Sequence, residues 1–328
     1  MFRALVVNKV GGRHSATFEN WQEDQLPNKA VLVKVDYSSL NFKDGLAVTG
    51  KGKILRDYPM IPGIDLAGTV IESKVSEFAA GDDVVLTGAG LGEDYCGGYA
   101  QKAQVDADAL IKLPPTLSAH NAMTIGTAGF TAMLAVAALQ EAEVTPEQGP
   151  IIVTGAAGGV GSIAIAILAR LGYSITAVTG REQLHQYLRD LGATDIISRA
   201  EMARNARPLE SQKWAGAVDN VGGQILTRVI AETKSNGSIA SCGLAASHEL
   251  HTTVMPFILR AIKLLGINST LVTRQHRLHM WSQLSDLFDT SFWQSISETI
   301  GFSQIPEYAE KITNGEIRGR VVVDVNAE

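Results

Sequence analysis

Apolar and polar residues alternate from Ala30 to Val35 around Lys34, which is the period of a half-buried β-strand. Similar short runs occur at Gly68–Ile71 and, after the turn at Gly81, at Asp83–Leu86, so residues 1–120 read as mostly β. From Ala122 the apolar stretches lengthen and the order becomes helix, strand, helix, strand, helix. Ile151–Thr154 is a continuous apolar strand, Val160–Leu171 a helix, Ser174–Val178 a strand, Arg181–Leu191 a helix and Gly216–Asp219 a strand. Such repeated βα winding predicts an α/β fold with a doubly wound parallel sheet and a domain boundary near residue 122. Ser238–Ser241 and Leu264–Ile267 are two further strands. After a helical stretch, a closing strand at Arg320–Val325 is expected to rejoin the first domain.

At 328 residues the chain has material for two domains. Lys plus Arg number 28 against 34 Asp plus Glu, a net charge of −6 with no long basic run, so nucleic acid is not an expected partner. Cys96 and Cys242 are the only cysteines, too few for a disulfide framework or a four-cysteine metal site, and a cytoplasmic location is expected. Met1–Lys9 opens with alternating apolar residues rather than a basic stretch and an apolar core, so no signal peptide is legible. Ala122–Gln140 and Gly149–Ala169 are uncharged and long enough to raise a membrane question. Both carry glycines and small residues, and buried elements explain them better than a membrane partner.

The strongest chemical signal follows the strand at Ile151. Gly155-Ala156-Ala157-Gly158-Gly159-Val160-Gly161 leads directly into a helix rich in small residues. Missing side chains let the backbone touch a pyrophosphate, and the helix N-terminus offers unpaired N–H groups and a positive dipole end. Ala156 replaces the first glycine of G-x-G-x-x-G, so the strand–turn–helix context carries more weight than the bare pattern. An acid roughly 20 positions after the glycines would bind a ribose 2′-hydroxyl. Thr179-Gly180-Arg181 stands there instead, with Arg199 after the next strand as a second phosphate partner, which favours NADPH over NADH. Glu182 keeps a ribose contact open as the alternative.

Five segments in order resemble markers of the medium-chain dehydrogenase/reductase superfamily, in its zinc-free quinone reductase branch. They are Asn41-Phe42-Lys43-Asp44, Pro59–Val70, Gly126–Ala132, Ala156–Gly161 and Asp219–Gly223. Pro256–Arg260 and Leu265–Ser269 are similar to acryloyl-CoA reductases and their quinone oxidoreductase relatives. The resemblance implies a β-rich, GroES-like catalytic domain from residues 1–122 and 270–328, a Rossmann domain over 123–269, and an active site in the cleft. It also implies that Gly158, Gly159, Val160 and Gly161 hold the pyrophosphate, and Thr179, Gly180, Arg181 and Arg199 the 2′-phosphate end. Thr131, Val221, Leu244 and Ser269 would then line the cofactor toward the nicotinamide, and a homodimer would pair through Leu264–Ser269.

Zinc enzymes of the superfamily use a cysteine and a histidine where this chain has Asn41 and Ile64. Isoleucine has no donor atom and an amide is a poor zinc ligand, so no metal is expected. His248-x-x-His251 and His276-x-x-His279 lack a third ligand. Without a metal, the accessible hydride acceptors are activated alkenes and quinones, whose conjugated carbonyl oxygen takes up negative charge. The expected substrate is acryloyl-CoA or a similar short enoyl-CoA, with an enone or quinone as alternatives and a non-catalytic NADPH-binding sensor as the reading from another class. Asn41 is the candidate polar group at the substrate oxygen, or else a turn asparagine. Asp44 is expected to fix the loop or Asn41, and Lys43 to attract an anionic CoA thioester or face solvent. Phe42 stands where many relatives carry tyrosine and cannot give a proton. Tyr95, Tyr99 and water are left as donors. The Asp94–Tyr99 segment also departs from the His-Trp-Gly-Gly of acryloyl-CoA reductases.

Overall fold

Gly11 and Gly12 take φ of 58° and 81°, left-handed positions that glycine adopts cheaply and that a two-residue hairpin loop requires. They fold β1 (Phe2–Val10) back on β2 (Arg13–Trp21) with Val10 opposite Arg13. In the computed structural model, which describes residues 1–328, there follow β3 (Val31–Leu40), α1 (Phe42–Thr49), β4 (Asp65–Ser73), β5 (Asp83–Thr87), β6 (Lys102–Val105), β7 (Ile111–Lys112) and α2 (Ala119–Glu141). The middle of the chain holds β8 (Ile151–Val153), α3 (Gly159–Arg170), β9 (Ile175–Thr179), α4 (His185–Asp190), β10 (Asp195–Ser198), α5 (Arg199–Met202), β11 (Trp214–Asp219), α6 (Gly223–Glu232), β12 (Thr233–Ser241), α7 (Met255–Arg260) and β13 (Lys263–Gly266). The tail carries α8 (Arg274–Leu287), α9 (Thr290–Ser295), β14 (Ser297–Gly301), α10 (Ile305–Thr313) and β15 (Arg320–Asp324).

Residues 1–130 and 269–328 form one compact unit, and residues 131–268 the other. The divisions fall at 130/131 and 268/269 rather than at 122/123 and 269/270, because α2 starts in the first unit and runs past the expected boundary. In the first unit the sheet order is β14-β15-β3-β4-β5-β7, with β6 also on β3. β15 runs antiparallel to β3, pairing Val321 with Leu40, so the C-terminal strand completes a sheet begun near the N-terminus. Along β3, Val31, Val33 and Val35 are buried and Lys34 is exposed, as the alternation predicts. The strand continues to Leu40 through Ser38 and Ser39, two buried polar residues that apolar patterning does not register.

The second unit has strand order β10-β9-β8-β11-β12-β13, all neighbours parallel. This is the doubly wound arrangement, with its switch point between β8 and β11, and ligands bind such sheets outside the carboxyl ends of the strands there. Every residue of β8 and β9 is buried, hence their continuous apolar runs. The helix expected over Arg181–Leu191 is a 3₁₀ turn, Glu182–Leu184, followed by the short α4.

By length and composition α2 could cross a membrane, but its most apolar stretch is 83% buried in the protein. It is also broken at Gly126, where φ is 50° and ψ −162°. A Cβ there would lie 2.5 Å from Arg320 Nη2 and 2.7 Å from Asp65 Oδ2. Gly126→Ala is therefore expected to lower unfolding free energy by about 3 kcal/mol, through backbone strain and a displaced charge cluster. Chemical denaturation measures this, and a loss below about 1 kcal/mol would show that the surroundings yield.

Candidate active site

β4 begins at Asp65, whose carboxylate is fully buried beside the break in α2. Its Oδ2 accepts hydrogen bonds from Ser39 Oγ at 2.5 Å, Asn41 Nδ2 at 2.9 Å and the Thr127 N–H at 2.9 Å, while Oδ1 accepts from Thr127 Oγ1 at 2.5 Å. Thr127 opens the second half of α2, so Asp65 supplies the acceptor and the negative charge that a helix N-terminus favours.

Asn41 caps α1, and Asp44 in the first turn reaches back to it. Asp44 Oδ2 accepts from the Asn41 N–H at 2.9 Å and from Asn41 Nδ2 at 3.0 Å, and its Oδ1 accepts from the Ile64 N–H at 2.9 Å. Arg320 closes the cluster. Its Nη1 donates to Asn41 Oδ1 at 3.1 Å and its Nε to the Thr124 carbonyl at 2.8 Å. One guanidinium thus faces two buried carboxylates. Burial first, and the Asp65 charge second, push Asp44 up to about 7, against the hydrogen bonds from Asn41 and Ile64. Asn41 is 8% exposed, against 1% for Asp44 and 2% for Arg320, while Thr127 is less buried than any of them. Its amide donates to Ser39, Asp44 and Asp65 and accepts from Arg320, so any new partner of this amide displaces one it already has.

Lys43, one residue away in sequence, is not part of the cluster. Its Nζ forms an ion pair with Glu93 at 2.8 Å, which an anionic substrate would have to compete with. Tyr99 is fully buried, donates its hydroxyl to the Ser39 carbonyl at 3.1 Å, and is raised well above its ordinary pKa by burial. Burial raises Tyr95 likewise, so neither phenol is a ready acid at neutral pH. Asp65, Arg320, Ser39 and Thr127 were not among the expected site residues. Arg320 had a signal: it is a lone charge opening the apolar strand Arg320-Val321-Val322-Val323.

In the second unit the chain leaves β8 through Gly155, at φ 59°, and Gly158 caps α3 without a side chain. A Cβ on Gly161 would lie 2.4 Å from the Gly155 carbonyl oxygen and 2.8 Å from Ala156 Cα, so the helix sits closer to the turn than any other residue permits. Around Gly158 the only atom within 4 Å of an added Cβ is the Gly155 oxygen at 3.3 Å, which leaves the backbone open to an incoming anion. Gly159, Val160 and Gly161 form the first turn of this twelve-residue helix, with the N–H groups and dipole that bind phosphate.

Thr179 ends β9, its Oγ1 accepting from the Arg181 N–H at 3.1 Å. A Cβ on Gly180 would lie 3.0 Å from Arg199 Nε, so the Arg199 side chain lies across Gly180. Arg181 is lowered from its ordinary pKa by burial, and the nearby Arg199 charge adds to this. Two arginines thus lie near the end of β9, close enough for the charge of one to act on the other. Val221 follows β11, where Asp219 accepts from Thr154 Oγ1 at 2.7 Å and from the Gly222 N–H at 2.9 Å. Leu244, 63% exposed, lines a groove with Gly222, Cys242, His248 and Asn268. Thr131 is buried as the first residue of this unit, whereas Ser269 belongs to the other.

The residues do not fit a metal. Both donor hydrogens of Asn41 are engaged, Ile64 offers only hydrocarbon, and no three His, Cys, Asp or Glu side chains converge to hold an ion. Cys96 is a buried free thiol raised by burial, and Cys242, which donates to Asn220 Oδ1 at 3.1 Å, is pushed up to about 12 by burial and by Asp219.

Residues 27–115 match the alcohol dehydrogenase GroES-like domain and residues 159–290 the zinc-binding dehydrogenase family. The chain is 48% identical to acrylyl-CoA reductase AcuI of Ruegeria pomeroyi over 330 residues, covering 100% of each. It is 40% identical to YhfP of Bacillus subtilis, provisionally named a quinone oxidoreductase, covering 98% of each. Among solved structures, Escherichia coli K-12 YhdH with bound NADPH superposes with a TM-score of 0.96 at 49% identity, over 98% of this chain and 100% of that one.

The raised Asp44 has a pH signature. The folded protein keeps this proton up to about pH 7 while the unfolded chain loses it near 3.8, so the contribution to stability is full below the lower value and lost as pH rises through the upper one. Unfolding free energy is expected to fall between those limits by a component that Asp44→Asn removes, although the variant is less stable throughout. An unchanged slope in the variant would assign the pH dependence elsewhere.

Proposed function

Because the chain belongs to the zinc-free medium-chain dehydrogenases/reductases, in the subfamily of acrylyl-CoA reductase AcuI and YhfP, we propose that it is an NADPH-dependent, metal-independent reductase of activated alkenes, with acryloyl-CoA or a similar short 2-enoyl-CoA as substrate. The observation that carries this reading is 48% identity to an acrylyl-CoA reductase over the whole of both chains. The similarity to YhfP supports NADPH:quinone oxidoreduction as the second reading. The two free thiols suit a cytoplasmic location.

NADPH, when bound, supplies the hydride. The backbone of Gly158–Gly161 receives its pyrophosphate at the N-terminus of α3, and Arg181 and Arg199 receive the 2′-phosphate, which relieves the repulsion between them. Thr131, Val221, Leu244 and Ser269 are assigned along the cofactor as the family resemblance implies. On the substrate side, reduction at the β-carbon drives negative charge onto the thioester oxygen. Asn41 is the donor proposed for that oxygen. It is less deeply buried than Asp44, Asp65 and Arg320, and Arg320 on its Oδ1 polarises the Nδ2–H groups. Asp44 and Asp65 hold it in place, and Lys43, released from Glu93, faces the anionic CoA.

Two outcomes are expected. With chelator present, NADPH absorbance falls faster with acryloyl-CoA than with crotonyl-CoA, a simple enone or benzoquinone, and Arg181→Ala raises the KM for NADPH roughly tenfold while sparing NADH. Turnover of quinone alone would transfer the assignment to the second reading, and loss of activity on metal removal would refute the metal-free chemistry. The second outcome concerns assembly. β13 pairs only with β12 and leaves an edge, with Leu264 37% exposed on it. A homodimer through this edge is expected in light scattering, and Leu264→Asp is expected to give monomer.

A further inference from the structure

Arg277 of α8 plays no part in the chemistry proposed above, yet it is 1% exposed. None of its hydrogen bonds goes to a carboxylate. Nη1 donates to the Thr87 carbonyl at 2.9 Å and to Thr87 Oγ1 at 3.0 Å, Nη2 donates to the Ser269 carbonyl at 3.2 Å, and Nε finds no acceptor. The guanidinium carbon lies 4.8 Å from the centroid of the Phe130 ring. That ring stacks on Trp281, one turn along α8, at 6.4 Å and 16°. Burial pushes Arg277 down to about 10, which leaves it charged at neutral pH. A buried cation without a contacting anion costs more than an apolar side chain of similar volume, and methionine or leucine would pack against Phe130 and Trp281 without that cost.

The partners have one property in common. Phe130 is the last residue of the β-rich unit before the chain passes into the dinucleotide-binding unit, and Ser269 is the first after it returns. Thr87 is the carboxyl end of β5, in the sheet of the β-rich unit. We infer that Arg277 is a positioning residue that pins both crossovers of the chain to the β-rich unit: its cationic face holds Phe130, its Nη2 holds Ser269, and its Nη1 anchors both to β5. The planar fork is what the task demands. A lysine ammonium in its place could not reach Thr87 and Ser269 in two directions while presenting a flat cation to an aromatic ring. The catalytic consequence rests on the reductase reading, in which Ser269 and Thr131, the neighbour of Phe130, flank the cofactor. Misplacement of reacting groups by about 1 Å costs on the order of 100-fold in rate.

The test compares wild type with Arg277→Met and Arg277→Lys. Hydrogen exchange is read first, since it is independent of activity. In both variants the amides around Phe130 and around Ser269 are expected to exchange roughly tenfold faster, with those of β3 unchanged. Under the reductase reading, kcat with acryloyl-CoA falls roughly tenfold while the Kd for NADPH, followed by its fluorescence, stays within about twofold. Faster exchange at one crossover only, or full retention of wild-type exchange by Arg277→Lys, overturns the inference. So does unchanged kcat when both crossovers have loosened. Should Arg277→Met fail to fold, Arg277→Lys still decides. Wild-type protein without turnover would refute the reductase reading and leave the exchange result to judge the clamp.

Discussion

A carboxyl group removed from water needs hydrogen-bond partners on every side, and in the β-rich unit that requirement of Asp65 dictates what surrounds it. Ser39 and Thr127 hydroxyls, the Asn41 amide and a backbone N–H converge on it. The N–H is available only because α2 is interrupted at Gly126. The end of β3 is polar for the same reason, although it is buried. Arg320 then balances part of the charge, and it comes from the last strand. Chain segments far apart in sequence are thus tied to one side chain, and the orientation of Asn41 is a by-product of satisfying it.

The dinucleotide-binding unit solves a related problem in the same way. Asp219, buried at the end of β11, takes the Thr154 hydroxyl from the end of β8 and the N–H of Gly222. Asn220 returns its side-chain amide to the Thr154 carbonyl at 2.7 Å. The two strands that flank the switch point are therefore locked at their carboxyl ends, next to the glycine turn. In both units a buried aspartate gives a loop near the proposed chemistry the rigidity that a flexible backbone segment lacks.

The parallel sheet was legible because its central strands are buried on both faces and read as apolar runs, and because glycines at a strand–helix junction have few other reasons to cluster. The β-rich unit was legible only where one face meets solvent, as around Lys34. Ser38 and Ser39 gave no strand signal because patterning scores a hydroxyl as polar whether water or Asp65 accepts its proton. Asn41 and Asp44 were legible as chemistry-bearing residues, with Asp44 expected to fix Asn41, but the helix α1 that their hydrogen bonds cap was not, since the spacing of three also fits a substrate-facing pair. Asp65 escaped because partners gathered from β3, the start of α1 and α2 leave no local trace, and Arg320 because the charge that opens its strand does not say what it meets. The fork of Arg277 escaped too: a basic residue in the polar-looking helix Arg274–Leu287 gives no sign that it is buried.

An α,β-unsaturated thioester is an electrophile toward any thiolate it meets, including those of the protein that handles it. The thiolate, rather than the thiol, is the attacking species. Burial and the nearby Asp219 push Cys242 up to about 12, so little of it is thiolate at neutral pH, and burial likewise raises Cys96. The packing around both cysteines thus favours the thiol, the form that is slow to add to such an electrophile.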